Sequence, residues 1–239
     1  MNIYTSIPKK SHSTALTIGF FDGVHLGHQN LIQALRETGE KTTVLTFSNP
    51  PWQVFKPGAP LNLLTSFSLK LALLEKYGVD AVIALPFTRE FASTSYEDLL
   101  SQFTLSHLIL GIGSEFGKNR EGNAANVQNI ALQKGFKVQY ISKTIVDGEI
   151  VSSSRIRQYI LSNQLAKAER LLGRPYALLF PPGRQMMTQD LCLPPDGIYP
   201  VRIDELSDQL EIKTVLKERS LTLSRTYPNQ FLINFDSIR

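Results

Sequence analysis

The chain has 239 residues, 42% hydrophobic and 19% charged, with a formal charge of +4, so it can bury a full core and lies outside disordered and collagen-like compositions. One cysteine, Cys192, excludes an internal disulfide, and no stretch reaches the roughly 20 apolar residues needed to span a bilayer. Lysines and arginines are spread along the chain rather than gathered in a tail, which suits small anionic ligands better than nucleic acid. The first residues, MNIYTSIPKK, lack the apolar core of a signal peptide. The expectation is a cytoplasmic protein with no membrane association, no nucleic-acid partner and no obligate protein partner.

Residues 15–20 form a short apolar strand that ends in glycine-containing turn chemistry. Residues 26–37 carry Leu31, Ile32 and Leu35 at helical spacing, and Gly39 can close that helix. Residues 42–47 are β-branched and strand-like. Residues 66–77 are helical, with Leu69, Leu73, Leu74 and Tyr77 on one side. Residues 80–87 read as a buried strand. Thr94-Ser95-Tyr96-Glu97 fits a capping box opening a helix to about Phe103. Residues 107–112 are the next strand, 124–134 a helix stopped by Gly135, and 137–142 another strand. Five strands separated by helices predict an α/β fold: a Rossmann-like parallel sheet with helices on both faces. Asp147-Gly148 predicts a small hairpin. Residues 155–161 and 165–172 make a helical pair, closed by Gly173 and Pro175.

After Tyr176 prolines cluster, and strand-like runs follow at 198–203, 211–216, 221–224 and 231–235. This predicts two domains, 1–176 and a small all-β 177–239. The second is marginal for a core of its own, so it is expected to lean on the first. Leu178, Leu179, Phe180, Ile198, Tyr199 and Phe235 are the candidate packing residues.

Two segments carry chemistry. The first strand runs into Gly19-Phe20-Phe21-Asp22-Gly23-Val24-His25-Leu26-Gly27-His28. Glycines let backbone approach a phosphate, and a helix that follows offers N–H groups and a positive dipole end. A lone histidine here would read as a cap. Two, three apart at a helix start, read as donors to the oxygens of a reacting phosphate. The second segment is Ser152-Ser153-Ser154-Arg155-Ile156-Arg157. Capping needs one hydroxyl, and this segment offers three plus a guanidinium one turn on, which suits an anion. Arg155 also reads as a solvated neighbour.

HxGH at 25–28 and SSSxIR at 152–157 resemble the HxGH nucleotidyltransferases. TIGFFDGVHLGHQNLI (17–32), TFSNPPWQVF (46–55), LPFTREFAS (85–93), FGKNREGN (116–123), VSSSRIR (151–157) and LGRPYAL (172–178) together resemble the bacterial FAD synthetase family, usually bifunctional riboflavin kinase/FMN adenylyltransferases. The resemblance implies ATP and FMN as substrates, FAD and pyrophosphate as products, and Mg²⁺ carried on the phosphates with no metal ligands from the protein. It implies His25, His28 and Arg157 as catalytic. Gly19, Phe20, Phe21, Asp22, Gly23, Ser152, Ser153 and Ser154 would complete the ATP site. Phe47, Gly111, Gly113, Phe116 and Arg120 would meet the flavin.

The sequence departs from that family in three places. The segment Gly-x-Asp/Asn-Phe-x-Phe-Gly is here GIGSEFG (111–117), and TFxPHP is here TFSNPP (46–51). The flavin side therefore matches less well than the ATP side, and Trp52 or Phe55 can stack on a flavin or simply pack. LPPDGIYPVRI (193–203) and FLINFDSIR (231–239) resemble riboflavin-kinase strands. The Pro-Thr-Ala-Asn signature is absent, and Glu205, Glu211 and Glu218 lack the context of a catalytic glutamate. A shortened, kinase-like barrel without kinase activity is expected. The alternatives are another small-molecule nucleotidyltransferase, such as one acting on phosphopantetheine, or a non-catalytic flavin or nucleotide sensor.

Overall fold

The computed structural model describes residues 1–8, 14–203, 206–215 and 218–235. Glu205, the end of the 211–216 run and residues 236–239 lie outside the described residues. The chain divides into two units. The first comprises Met1–Phe21, Gly27–Ala59 and Leu73–Thr144; the second comprises Asp22–Leu26, Pro60–Ala72 and Ile145–Arg239.

The first sheet contains β1 (Asn2–Tyr4), β2 (Thr14–Ile18), β3 (Lys41–Phe47), β4 (Ala81–Leu85), β5 (Leu105–Gly111) and β6 (Lys137–Ile141). Their order is β1-β4-β3-β2-β5-β6, and every pairing is parallel. Helices α1 (Leu26–Glu37), α2 (Pro51–Phe55), α3 (Phe67–Lys76), α4 (Arg89–Ala92), α5 (Tyr96–Ser101) and α6 (Ala124–Lys134) alternate with the strands. β4 is buried at every residue, as a strand covered on both faces must be. The strand order reverses beside β2. In such sheets ligands sit beyond the carboxyl ends of the strands at that point, so the loop leaving β2 at Gly19 holds the position expected for a site.

The helix ends follow their local chemistry. α6 starts on Asn123, whose side chain accepts from Asn126 N–H, and stops at Gly135 in the left-handed conformation. For α5 the structure shifts the expected box by one residue. Ser95, not Thr94, is the cap and accepts from Asp98 N–H. Both residues offer a hydroxyl with an acid three positions on, so the pattern alone could not choose.

From Ile145 onward the second unit contains the hairpin β7 (Ile145–Val146) and β8 (Glu149–Ile150), turning at Asp147-Gly148, then α7 (Ser153–Leu161) and α8 (Leu165–Leu172). A barrel-like antiparallel sheet follows: β9 (Ala177–Phe180), β10 (Gly183–Thr188), β11 (Gly197–Ile203), β12 (Leu206–Val215), β13 (Glu218–Tyr227) and β14 (Phe231–Phe235), in the order β10-β13-β12-β11-β14-β9. β11 alternates exposed and buried residues, the signature of one face turned to a core.

In that core the C-terminal residues meet residues of the 1–176 segment. Leu178, Phe180, Tyr199 and Phe235 are buried in one cluster with Val201, Leu210 and Ile233 of their own sheet and with Ile156, Ile160, Leu171 and Leu172 of α7 and α8. The sheet thus closes its core with the helical pair that precedes it. Ile198 takes no part; it is 64% exposed, because the strand period turns it outward. Among the described residues no helix is long and apolar enough to cross a membrane.

Candidate functional site

Asp22 and Arg157, 135 residues apart, meet in the second unit. Arg157 Nη2 donates to Asp22 Oδ2 at 2.6 Å, and its Nε donates to the Asn62 carbonyl at 2.8 Å. The other carboxylate oxygen, Oδ1, accepts from the backbone N–H of Leu64 (2.9 Å) and Thr65 (3.3 Å). Asp22 is buried. Burial raises its pKa, while the Arg157 guanidinium beside it and the Leu64 and Thr65 N–H groups oppose the rise. The fork that the sequence offers to a phosphate is therefore engaged by a carboxylate and a carbonyl.

Asp22 stands at the start of a short 3₁₀ turn, Asp22–Val24, held from several sides. Gly23 N–H meets Thr65 Oγ1 at 3.3 Å, and Arg174 Nη2 donates to the Gly23 carbonyl at 2.9 Å. Gly23 has φ 81°, and a Cβ there would come within 2.8 Å of the Leu64 side chain, so only glycine fits. Phe21 (φ 57°) and Val24 (φ 40°) are also left-handed, which costs a non-glycine residue about 1–3 kcal/mol.

The three serines divide their labour. Ser152 is the cap of α7 and accepts from Arg155 N–H at 3.3 Å. Ser153 Oγ donates to the Asp22 carbonyl at 3.0 Å, tying the helix start to the strained turn. Ser154 is exposed. As first-turn residues, Ser153 and Ser154 present backbone N–H groups that lack intrahelical partners, together with the positive end of the dipole. Arg155 pairs with Glu149 at 3.2 Å, and Tyr159 OH donates to the other oxygen of Glu149. Hairpin and helix are thereby joined.

His25 is buried just before α1. Burial, with Arg157 adding to it, brings its pKa from 6.5 down to about 4, so it is a neutral imidazole at physiological pH. The unfolded chain takes up this proton near pH 6.5, whereas the folded protein refuses it until about pH 4. The stability involved is complete above pH 6.5 and is lost as pH falls towards 4. His25→Gln should shrink the difference in urea stability between pH 7 and pH 4.5 by about 2–3 kcal/mol. An unchanged difference would show that His25 titrates normally.

In the first unit, His28 lies half-buried in the first turn of α1, its ring 4.8 Å from that of Phe21. Phe20 packs edge-on against Trp52 at 5.3 Å. Gly19 lines a cavity of about 860 Å³ with Phe47, Trp52, Phe55, Phe87, Phe91 and Phe116, and Arg89, Lys118 and Arg120 contribute cations. Aromatic walls with a few polar groups are the usual make-up of a pocket for a flat organic ligand. Phe47, Phe116 and Arg120 of the expected flavin residues line it; Gly111 and Gly113 do not. Trp52 and Phe55 both face it. Asn49, where the resembled motif has its first proline, bonds both backbone groups of Phe87 (2.8 and 3.0 Å) and so fixes that wall. Gly117 (φ 76°) turns the 116–120 segment beneath Tyr96, where a Cβ would meet backbone at 2.7 Å.

The sequence pattern does not single out Phe87, Phe91, Arg89 or Lys118 as site residues, although LPFTREFAS (85–93) contains three of them. Lys70, 3% exposed and coupled to Asp22, was also missed. Among the described residues no three His, Cys, Asp or Glu side chains converge as a metal site.

A family profile described as FAD synthetase matches residues 7–155. The bifunctional riboflavin kinase/FMN adenylyltransferase of Escherichia coli (strain K12) is 36% identical over 172 residues, covering 68% of this chain and 55% of that protein. The chain thus spans about half the length of that relative. A FAD synthetase of Listeria monocytogenes is 30% identical over 201 residues, covering 80% of this chain and 82% of that protein. A crystal structure of a macrolide-efflux protein from Streptococcus pneumoniae superposes with a TM-score of 0.79 at 20% identity, covering 96% of this chain and 86% of that one, a likeness of fold. With well over half its length matched to the profile, the chain belongs to the FAD synthetase family.

Proposed function

We propose that this protein is an FMN adenylyltransferase: ATP and FMN give FAD and pyrophosphate. The observation that carries the reading is the family match over residues 7–155, which spans the HxGH loop, the aromatic cavity and the serines of the Ser/Arg segment. In this reaction an FMN phosphate oxygen forms a bond to the α-phosphorus of ATP. The bond from that phosphorus to the bridging oxygen breaks, and pyrophosphate leaves with the electron pair. The FMN phosphate is already anionic, so the protein needs to align and stabilise rather than deprotonate.

The roles proposed for the residues are these. His25, neutral and buried, and His28 donate hydrogen bonds to the α-phosphate as charge builds there. The first-turn N–H groups of Ser153 and Ser154 receive the departing pyrophosphate, and Ser152 holds that turn open by capping it. Arg157 supplies positive potential from its place on Asp22. Gly19, Phe20, Phe21, Asp22 and Gly23 shape the loop over the nucleotide. The flavin ring occupies the aromatic cavity against Phe47, Phe87, Phe91 and Phe116, and Arg120 serves the FMN phosphate; Gly111 and Gly113 act only by shaping the following turn. The Asp22 carboxylate is engaged by Arg157 and two N–H groups, which supports Mg²⁺ entering as the counter-ion of ATP rather than as a protein-held metal.

The same proposal places the AMP-transfer chemistry in residues 1–176 and gives residues 177–239 no riboflavin kinase activity. In support, the interval expected to carry the kinase loop is filled by strand β10 and by a buried turn. There Leu191, Cys192 and Leu193 are buried and Tyr176 OH donates to the Cys192 carbonyl. A cytoplasmic location without membrane, nucleic-acid or obligate protein partner completes the reading. The test is chromatography after incubation with Mg²⁺-ATP and either FMN or riboflavin. FAD should form from FMN, while riboflavin should remain unconverted. No FAD from FMN would refute the adenylyltransferase reading; FMN or FAD from riboflavin would refute the loss of kinase activity.

A further inference from the structure

The parallel ladder of β3 and β4 ends with Phe47 beside Leu85, and Ser48 N–H still donates to the Leu85 carbonyl at 2.9 Å. Beyond that point Pro86 has no N–H to offer, and Pro50 and Pro51 turn the other chain into α2. Two residues past the last pair, the Asn49 side chain takes the place of a peptide. Phe87 N–H donates to Asn49 Oδ1 at 2.8 Å, and Asn49 Nδ2 donates to the Phe87 carbonyl at 3.0 Å. Proline, which the resembled motif has at this position, could make neither bond.

What this amide holds is one wall of the aromatic cavity. The Phe87 ring crosses Phe47 at 90° with centroids 4.9 Å apart, and Phe91 stands 5.6 Å from Phe87 and 5.2 Å from Phe47. The next residue, Thr88, caps α4 by accepting from Phe91 N–H at 3.1 Å. That helix carries Arg89, Phe91 and Ala92 into the lining. Phe87 and the start of α4 are thus set from one clamped peptide unit.

We propose that Asn49 is a positioning residue for the planar ring of the ligand: its amide holds the Phe87 backbone, and through it the Phe87–Phe91 wall, in the geometry that the ring meets. That the ring is a flavin rests on the function proposed above.

The test is quenching of FMN fluorescence by the full chain without ATP, with calorimetric titration of Mg²⁺-ATP as control. Asn49→Ala should weaken FMN about five- to tenfold, the scale of one net hydrogen bond passed on to the ligand, and leave Mg²⁺-ATP within twofold. Asn49→Asp supplies a pH signature. Its carboxylate can accept from Phe87 N–H but sets a second anionic oxygen against the Phe87 carbonyl, so FMN should be weakened at pH 7.5. Partial burial and that carbonyl hold the new carboxyl above the ordinary carboxylate range. As pH falls to 5 its proton can donate to the carbonyl and restore both bonds, so the deficit relative to wild type should shrink. Arg89, Glu115, Lys118 and Arg120 of the lining and the FMN phosphate are common to both proteins, so the ratio of affinities isolates position 49. A folded Asn49→Ala with wild-type FMN affinity overturns the proposal, as does equal weakening of FMN and Mg²⁺-ATP. If Asn49→Ala does not fold, an Asn49→Asp deficit that is absent or independent of pH overturns it. Because binding is read without turnover, failure to make FAD would refute the enzymatic reading and leave this result standing. Absence of any FMN binding by the wild type would overturn both.

Discussion

His28→Ala is expected to lower the rate of FAD formation about 10²–10³-fold while changing FMN affinity by less than threefold. A donor aimed at charge that develops only in the transition state acts on turnover, and losing one costs that much. His28 sits in the first turn of α1 against the Phe21 ring, outside the residues that line the aromatic cavity. Single-turnover kinetics, with flavin fluorescence to follow binding, separates the two effects. Near wild-type turnover in a folded variant would remove His28 from the chemistry. A parallel loss of FMN affinity would make it a flavin contact instead.

The second large effect is expected at Arg157. Arg157→Ala leaves Asp22 buried with two backbone N–H groups and no guanidinium, and breaking a buried pair from one side costs about 3–5 kcal/mol. It should also abolish measurable use of ATP. Asp22→Asn combined with Arg157→Ala should recover part of the stability, because the uncompensated charge is gone, but none of the activity. Arg157→Lys keeps the charge yet loses the fork that reaches Asp22 and the Asn62 carbonyl together, so FAD formation should still fall at least about tenfold. Urea denaturation and the KM for ATP check both arms. If Arg157→Ala and Arg157→Lys both use ATP like the wild type, the Ser/Arg segment serves only as the cap and anchor of α7.

Much of the fold was legible because helix ends are local chemistry. α6 runs between Asn123 and Gly135, and α8 ends at Gly173, where the sequence places them. Strands were harder. β1 has three residues, β9 is a run of four apolar residues with no alternation, and β10 follows two prolines with mixed polarity. None carries a period long enough to read, and each exists because a neighbouring strand pairs with it.

The candidate site divides along the same line. The HxGH loop and the Ser/Arg segment stand out as short motifs, since glycines, imidazoles and clustered hydroxyls have local uses that can be named in advance. By itself the sequence determined the α/β class, the family resemblance and the two segments proposed to bind phosphate. Tertiary structure decided what each side chain touches: that Arg157 grips Asp22, that Lys70 is buried on an apolar helix face instead of solvated, and that Phe87 and Phe91 complete a wall with Phe47. The physical reason is range. A cap or a turn is settled within about four residues, whereas a buried charge or an aromatic wall depends on partners brought together only when distant segments pack, 135 residues apart for Asp22 and Arg157.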